Sequence, residues 1–245
     1  MNKLTTFILG FCLFLSADLL AQRATYPYSR FGIGKVLNRT SVASSGMGGL
    51  STAYGSSITL NINNPALLTE NPLTIFDFAV GTESRKLETP TEEQNGLGGK
   101  LQYFAFGFPV GKGVHLGLGL TPYSDVNYKA ITFSPIPNST RFAEYTYQGN
   151  GGMSQLYTSI AKKFAKKLSV GVQFNYNFGT SNEEAQARIN DGASIYKIEV
   201  LDRTSYGDIN LKVGANYDIP LPDHVHLNLA ATYSPSSDIG VRQFR

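Results

Sequence analysis

The chain has 245 residues, a formal net charge of +3, one cysteine and no tryptophan. Charged residues make up 16%, against roughly 25% in an average soluble domain, while Tyr, Phe and Gly number 14, 15 and 25. Low charge with many aromatics excludes a disordered chain. No apolar run approaches the ~18 residues that a spanning helix needs. A β-rich chain with dispersed apolar residues is what remains.

Residues 1–21 have the layout of a secretory signal peptide: Lys3, a nine-residue apolar stretch at 7–15, then small residues at Ala17 and Ala21. Cys12 does not suit lipidation, because Phe11 precedes it where a small residue belongs. Cleavage after Ala21 leaves 245 − 21 = 224 residues without cysteine. Such an exported protein is held together by its core or its ladder. The sequons at Asn38 and Asn138 matter only in a eukaryotic secretory pathway and read as chance matches.

Residues 22–73 show little alternation and are rich in Ser, Gly, Asn and Thr, with glycines at Gly46, Gly48 and Gly49. Pro65 and Pro72 exclude a continuous strand there, and Asn or Ser capping followed by Ala-Leu-Leu suits short helical turns. After Pro72 the texture changes to period two, the signature of strands with two unlike faces. Seven strands are predicted, at 74–82, 100–110, 113–123, 144–162, 168–179, 207–218 and 224–234. In 168–179 the apolar set Val170, Val172, Phe174, Tyr176 and Phe178 opposes Gly171, Gln173, Asn175, Asn177 and Gly179. Short links fall at 111–113, 162–167 and 218–223, and long polar links at 83–99, 124–143 and 180–206. Short turns at one end and long loops at the other, with strands of ~10 residues, are the pattern of transmembrane antiparallel β-barrels of the outer-membrane type. In a soluble sandwich the strands also alternate, but the solvent face would carry Lys and Glu where this chain carries Gly, Asn, Gln and Thr. The barrel is therefore the expected fold, all-β, over 74–245. Gln173, Asn175, Asn177, Asn210 and Lys212 are its candidate lumen-facing residues.

No enzyme site converges. The segment 107–113 lacks the spacing and the Ser or Thr of a phosphate-binding loop, and there is no G-x-S-x-G elbow. His115, His224 and His226 have no carboxylate set at metal-ligand spacing. Lys162, Lys163, Lys166 and Lys167 could mark a basic helix, but they lie between two strand patterns and read as a solvated turn. Glu92-Glu93 and Glu183-Glu184 read as loop surface charge. No catalytic residue, cofactor, metal or nucleic-acid partner is expected.

Four segments carry a resemblance. Ser44-Ser-Gly-Met-Gly-Gly-Leu-Ser-Thr-Ala-Tyr54, followed by Ile62-Asn-Asn-Pro-Ala-Leu-Leu68, resembles the amino-terminal segment of FadL-like outer-membrane transport proteins. Tyr26-Pro-Tyr-Ser-Arg-Phe-Gly-Ile-Gly34 and Gly119-Leu-Thr-Pro-Tyr-Ser124 are similar to the branch with PorV-type secretion components. The resemblance implies a fourteen-stranded barrel with an amino-terminal hatch at 22–73, in which Asn64, Pro65 and Ala66 match the hatch motif and Gly46, Gly48 and Gly49 its glycine stretch. It also implies passage of hydrophobic small molecules such as fatty acids or hydrocarbons, with outer-membrane lipid and lipopolysaccharide as surroundings. The polar lumen candidates alone would suit a hydrophilic pore, so a hydrophobic pocket would come from the hatch or from the strands missing from a full barrel. Seven strands are half of fourteen, and the expectation is a chain that is the amino-terminal half of a longer protein. The alternatives are a non-transporting component of a protein secretion or assembly system, and an exported soluble β-domain adhesin.

Overall fold

The computed structural model describes residues 25–37, 40–88, 93–136, 141–164, 167–190, 195–222 and 225–244. The expected signal peptide, Asn38, Asn138, Glu92, Lys166 and His224 lie outside them. All seven expected strands form: β2 (Ile75–Glu88), β3 (Glu93–Gly111), β4 (Val114–Pro135), β5 (Phe142–Phe164), β6 (Leu168–Asn190), β7 (Ile195–Pro220) and β8 (His226–Tyr233). They make an antiparallel meander in sequence order, to which β1 (Lys35–Val36) adds by pairing with β4, and β9 (Gly240–Phe244) by pairing with β7. No helix among the described residues is long and apolar enough to cross a membrane.

The chain divides into two units. In the smaller, the described parts are 82–88 and 93–100, two strand ends carrying a local ion cluster: Glu83 pairs with Arg85 at 2.6 Å and with Lys100 at 3.2 Å. The larger comprises Thr25–Gly81 and Leu101–Arg245.

Within the larger unit the sheet is inside out by soluble standards. Phe174 is 54% and Ile209 73% exposed, whereas Asn175 and Asn177 on the opposite face are 2% and 1% exposed. Cross-strand rows make the faces explicit. Leu156, Tyr176 and Ile209 form one outward row, and Thr158, Phe174 and Leu211 the next. On the other face Gln155, Asn177 and Asp208 share a row, as do Tyr157, Asn175 and Asn210. An exposed apolar face this broad would aggregate in water and is the face a bilayer covers. On β6 it runs from Val170 to Phe178, nine residues, or about 30 Å along the strand. At the usual tilt that is close to the ~25 Å apolar band of outer-membrane barrels.

Three stretches expected to be long links, 83–99, 124–143 and 180–206, are largely strand instead. β4, β5, β6 and β7 have 22, 23, 23 and 26 residues, at least twice the ~9–11 that a bilayer needs. The reason is an inversion of the two faces. Beyond the apolar band the inner rows become Tyr147, Ala185 and Val200, then Tyr145, Ala187 and Ile198, then Ala143, Ile189 and Tyr196. The outer rows become polar: Glu144, Arg188 and Lys197, then Thr146, Gln186 and Glu199. Gln148 donates to Glu184 across the outer face at 2.6 Å. The hydrogen bond from Lys197, 2.7 Å away, holds the Glu199 carboxyl below its ordinary value. Ile131, Phe133 and Phe142 near the β4–β5 tip and Leu201 on β7 interrupt this outer face, and on the inner rows Tyr196 and Ile198 are 61% and 68% exposed. The polarity of these upper strands is that of a sheet in water. At the crossover, Gly151 and Gly152 adopt φ of 131° and 135°, a region that favours glycine. The β4–β5 register shifts alongside, between Pro122 and Ser124.

Phe244 belongs to β9, whose Gly240–Phe244 run pairs antiparallel with Gly207 to Arg203 of β7.

Candidate functional site

The amino-terminal segment is seated on the polar face of the sheet, and glycines make the room. β3 pairs with β4 only from Phe104↔Leu120 to Gly111↔Val114. Above this, residues 26–37 occupy the free edge of β4. Tyr26 N–H donates to the Asn127 carbonyl (2.7 Å), Lys35 and Val36 pair with Asp125 and Ser124, and Leu37 N–H donates to the Tyr123 carbonyl (3.0 Å). Ser29 Oγ accepts from Asn127 N–H at 3.0 Å, and the Arg30 guanidinium lies 5.1 Å from the Tyr147 ring centroid. Burial pushes the neighbouring Tyr128 hydroxyl above the ordinary phenol value, and the Glu183 carboxylate adds to this.

Residues 51–71 are then tied together by asparagine side chains. Asn61 Nδ2 donates to the carbonyls of Ser51 (2.5 Å) and Tyr54 (2.9 Å), and its Oδ1 accepts from the N–H groups of Asn63 and Asn64, both at 2.8 Å. Asn64 is fully buried and caps the 3-10 turn Pro65–Glu70, its Oδ1 accepting from Ala66 N–H at 3.0 Å. Its Nδ2 donates to the Thr52 carbonyl (2.8 Å) and to the Ala215 carbonyl of β7 (3.4 Å). Asn71 Nδ2 closes the segment on the carbonyls of Ser56 (2.6 Å) and Thr59 (3.1 Å). Short asparagine side chains replace the ladder that irregular backbone lacks, as buried backbone requires.

Beneath this segment lie two cross-strand glycine pairs, Gly107↔Gly117 and Gly171↔Gly214. A Cβ on Gly171 would stand 2.5 Å from the Pro65 carbonyl carbon, and one on Gly107 2.6 Å from Leu60 Cδ2. At Gly117 it would stand 3.0 Å from Leu68, and at Gly214 it would collide with the Asn64 amide. The floor is glycine because the turn lies directly on the strand backbones. Thr69 Oγ1 and Ser169 Oγ share a hydrogen bond of 2.7 Å, and Lys163 pairs with Glu70 at 3.0 Å. Further along, Asp77 accepts from Leu60 N–H (3.3 Å) and from the Tyr103 hydroxyl (3.2 Å), and that hydroxyl accepts from Val42 N–H (3.2 Å).

Of the residues singled out from the sequence, Asn64, Pro65 and Ala66 are buried in this seat. Gly46, Gly48 and Gly49 lie apart from the floor, at the end of the short helix Val42–Gly46. Gly46 and Gly48 have open space where a Cβ would stand. Gly48 and Gly49 take positive φ, 72° and 87°, and Gly49 N–H donates to the Ser44 carbonyl at 2.8 Å, a helix-ending contact. Gln173, Asn175, Asn177 and Asn210 share the inner face and are bonded to one another. Gln173 Nε2 donates to Asn175 Oδ1 (2.6 Å), and Asn175 Nδ2 to Asn210 Oδ1 (2.8 Å). Asn177 and Asn210 both donate to Asp208 Oδ2, at 3.2 and 3.3 Å, and Gln155 donates to Asn177 Oδ1 at 2.7 Å. Lys212 stands opposite Gln173 on the same face. These polar groups are largely engaged with each other. Asn175→Ala is expected to cost about 1–3 kcal/mol, because it strips buried Gln173 of its acceptor. A urea titration of the folded protein in lipid vesicles measures it, and an unchanged midpoint would contradict the network.

Sequence reasoning passed over Asp77, Tyr103, Asn61, Asn71 and the floor glycines. The close spacing of Asn61, Asn63 and Asn64 was a usable signal for a self-capped turn. The glycine floor carried none, since it exists only through strand register.

An antiparallel meander with an apolar outward band, a polar filled inward face and long water-facing strand extensions defines an outer-membrane protein of the β-barrel class. Its family is shown by comparison: the BamG family model matches residues 1–245, and the chain belongs to the BamG family. No curated protein and no solved structure matches the chain. The comparisons lend no support to the FadL-like family or to the passage of hydrophobic compounds.

Proposed function

We propose that this chain is a non-catalytic outer-membrane component of an assembly or secretion machinery. Membership of the BamG family over the whole chain carries this reading. Two features of the fold suit it. The inner face is floored by glycine, seated with residues 60–70 and lined with amides bonded to each other, which is poor lining for a hydrophobic conduit. The strand extensions past the apolar band present a broad protein surface outside the bilayer, the kind of surface a partner protein uses. Residues 22–73 act in this proposal as a hatch that closes the inner face. An exported soluble β-domain is disfavoured because Phe174, Tyr176 and Ile209 would stand in water.

The experiment is affinity isolation of the tagged full chain from detergent-solubilised outer membranes, paired with depletion in cells. Co-isolation of outer-membrane assembly components and falling levels of outer-membrane proteins on depletion are expected, with uptake of a labelled fatty acid unchanged. A chain isolated alone, together with lost fatty-acid uptake, would return the function to transport.

A further inference from the structure

At the short-turn end of the sheet the outward apolar row is broken by a lysine. Lys162 lies cross-strand from Val114 on one side and Val170 on the other, in the column of Ile160, which is 46% exposed. Its ammonium sits 5.3 Å from the centroid of the Phe164 ring. The adjoining β3–β4 turn carries Lys112, held next to β5 by the hydrogen bond from Lys163 N–H to the Gly113 carbonyl (3.0 Å). The β5–β6 turn carries Lys167, whose N–H donates to the Phe164 carbonyl at 3.2 Å. All three lysines are exposed. Lys163, on the opposite face, is neutralised by Glu70 at 3.0 Å, and the nearby Asp218 carboxylate is engaged by His226 at 3.0 Å. Lys112, Lys162 and Lys167 have no carboxylate partner among the described residues.

A lysine on a lipid-facing row is tolerated when its stem lies along the apolar surface and its ammonium reaches the headgroup level. Lys162 has this arrangement, with Phe164 as the ring beneath it and two further cations at the same rim. We infer that Lys112, Lys162 and Lys167 form, with Phe164, a site for the phosphate of an anionic phospholipid in the leaflet at the short-turn, periplasmic end. The site orients the chain in the bilayer by binding headgroups in addition to burying its apolar band. Each such lysine contributes about a fivefold preference for an anionic surface.

The test uses the full chain in neutral detergent micelles and follows fluorescent phosphatidylglycerol and phosphatidylcholine by anisotropy at low and high salt. The wild type is expected to favour phosphatidylglycerol by roughly tenfold or more, a preference that salt weakens. Combining Lys112→Gln, Lys162→Gln and Lys167→Gln should bring the two lipids to near parity, while the same three changed to Arg should keep the preference. Gel migration with and without boiling checks that each variant is folded. A wild type that does not distinguish the headgroups, or whose preference ignores salt, overturns the site even if the glutamine variant fails to fold. A preference unchanged in the folded glutamine variant overturns it too. So does loss of an acidic protein from the affinity isolation with the lipid preference intact, which would assign these lysines to a protein partner. The inference rests on the membrane placement but not on the machinery. A chain that isolates alone yet keeps its headgroup preference would defeat the proposed function and leave this site standing.

Discussion

Gly171→Val is expected to unseat residues 64–70 and to destabilise the protein by about 3 kcal/mol, the upper range for overpacking a filled site. The cause is the absence of any space for a side chain. A Cβ at position 171 would lie 2.5 Å from the Pro65 carbonyl carbon and 2.6 Å from Ala66 N. These are backbone atoms of a turn already fixed by Asn64, so neither side can give by a rotamer change. Gly214→Val should act similarly through the Asn64 amide, and the two substitutions should add poorly because they strike the same turn. The matched control is Gly46→Ala, where no heavy atom lies within 4 Å and the change should stay within about 0.5 kcal/mol. A urea titration in vesicles reads the stability, and limited proteolysis reads the seat, with new cleavage expected between residues 50 and 74 in Gly171→Val and Gly214→Val but not in Gly46→Ala. Wild-type stability with an uncut segment would mean that the glycine floor does not hold this turn.

Phe174→Arg is the second large effect, expected to destabilise the folded, lipid-inserted protein by about 2–4 kcal/mol as a charge placed near the middle of the apolar band. Gln186→Arg lies on the same strand and the same outward face, twelve residues further on, where Glu199 of β7 is its cross-strand neighbour. There the change should fall within about 0.5 kcal/mol. The contrast depends on the inversion of the faces. If both positions faced lipid, both arginines would be costly. Equal costs at 174 and 186 would therefore refute the assignment of the upper strands to water. Single cysteines at 174 and 186, labelled with a membrane-impermeant thiol reagent in intact vesicles, give an independent reading: the first protected, the second modified.

The same inversion explains how far the fold could be read from the residues. The lower strands were legible because one parity stays apolar throughout, as in Val170, Val172, Phe174, Tyr176 and Phe178. Beyond Gly179 the apolar set moves to the other parity, Ala185, Ala187 and Ile189. A reading that follows one face loses the phase there and sees a polar link. The strands were continuous all along, but the solvent on their outer face changed from lipid to water, and the residues changed with it. β5 is longer than its predicted 144–162 for a related reason. Its outward positions Leu156, Thr158, Ile160 and Lys162 mix apolar and polar residues, and only its two neighbours define its register.

At the candidate site the division is different. Asn64, Pro65 and Ala66 stood out through local chemistry: a capping side chain, a fixed φ and a small residue in a row specify a turn without reference to the rest of the chain. The resemblance of 44–54 and 62–68 to FadL-like proteins pointed to the outer membrane, and the family shown for the chain is BamG.

The sequence alone determined the all-β class, the seven strands, their faces in the lower half and the self-capped turn, because each depends on contacts between near neighbours or on a period of two. The register decided the rest. Sliding one strand past another by two residues preserves every face, so alternation does not reveal which glycines meet. Only the paired strands place Gly171 beside Gly214 under Pro65 and Asn64, and bring Lys162 to the rim of the lipid-facing row. Where the water begins on a strand is likewise settled by what packs or fails to pack against each face, a property of the assembled sheet.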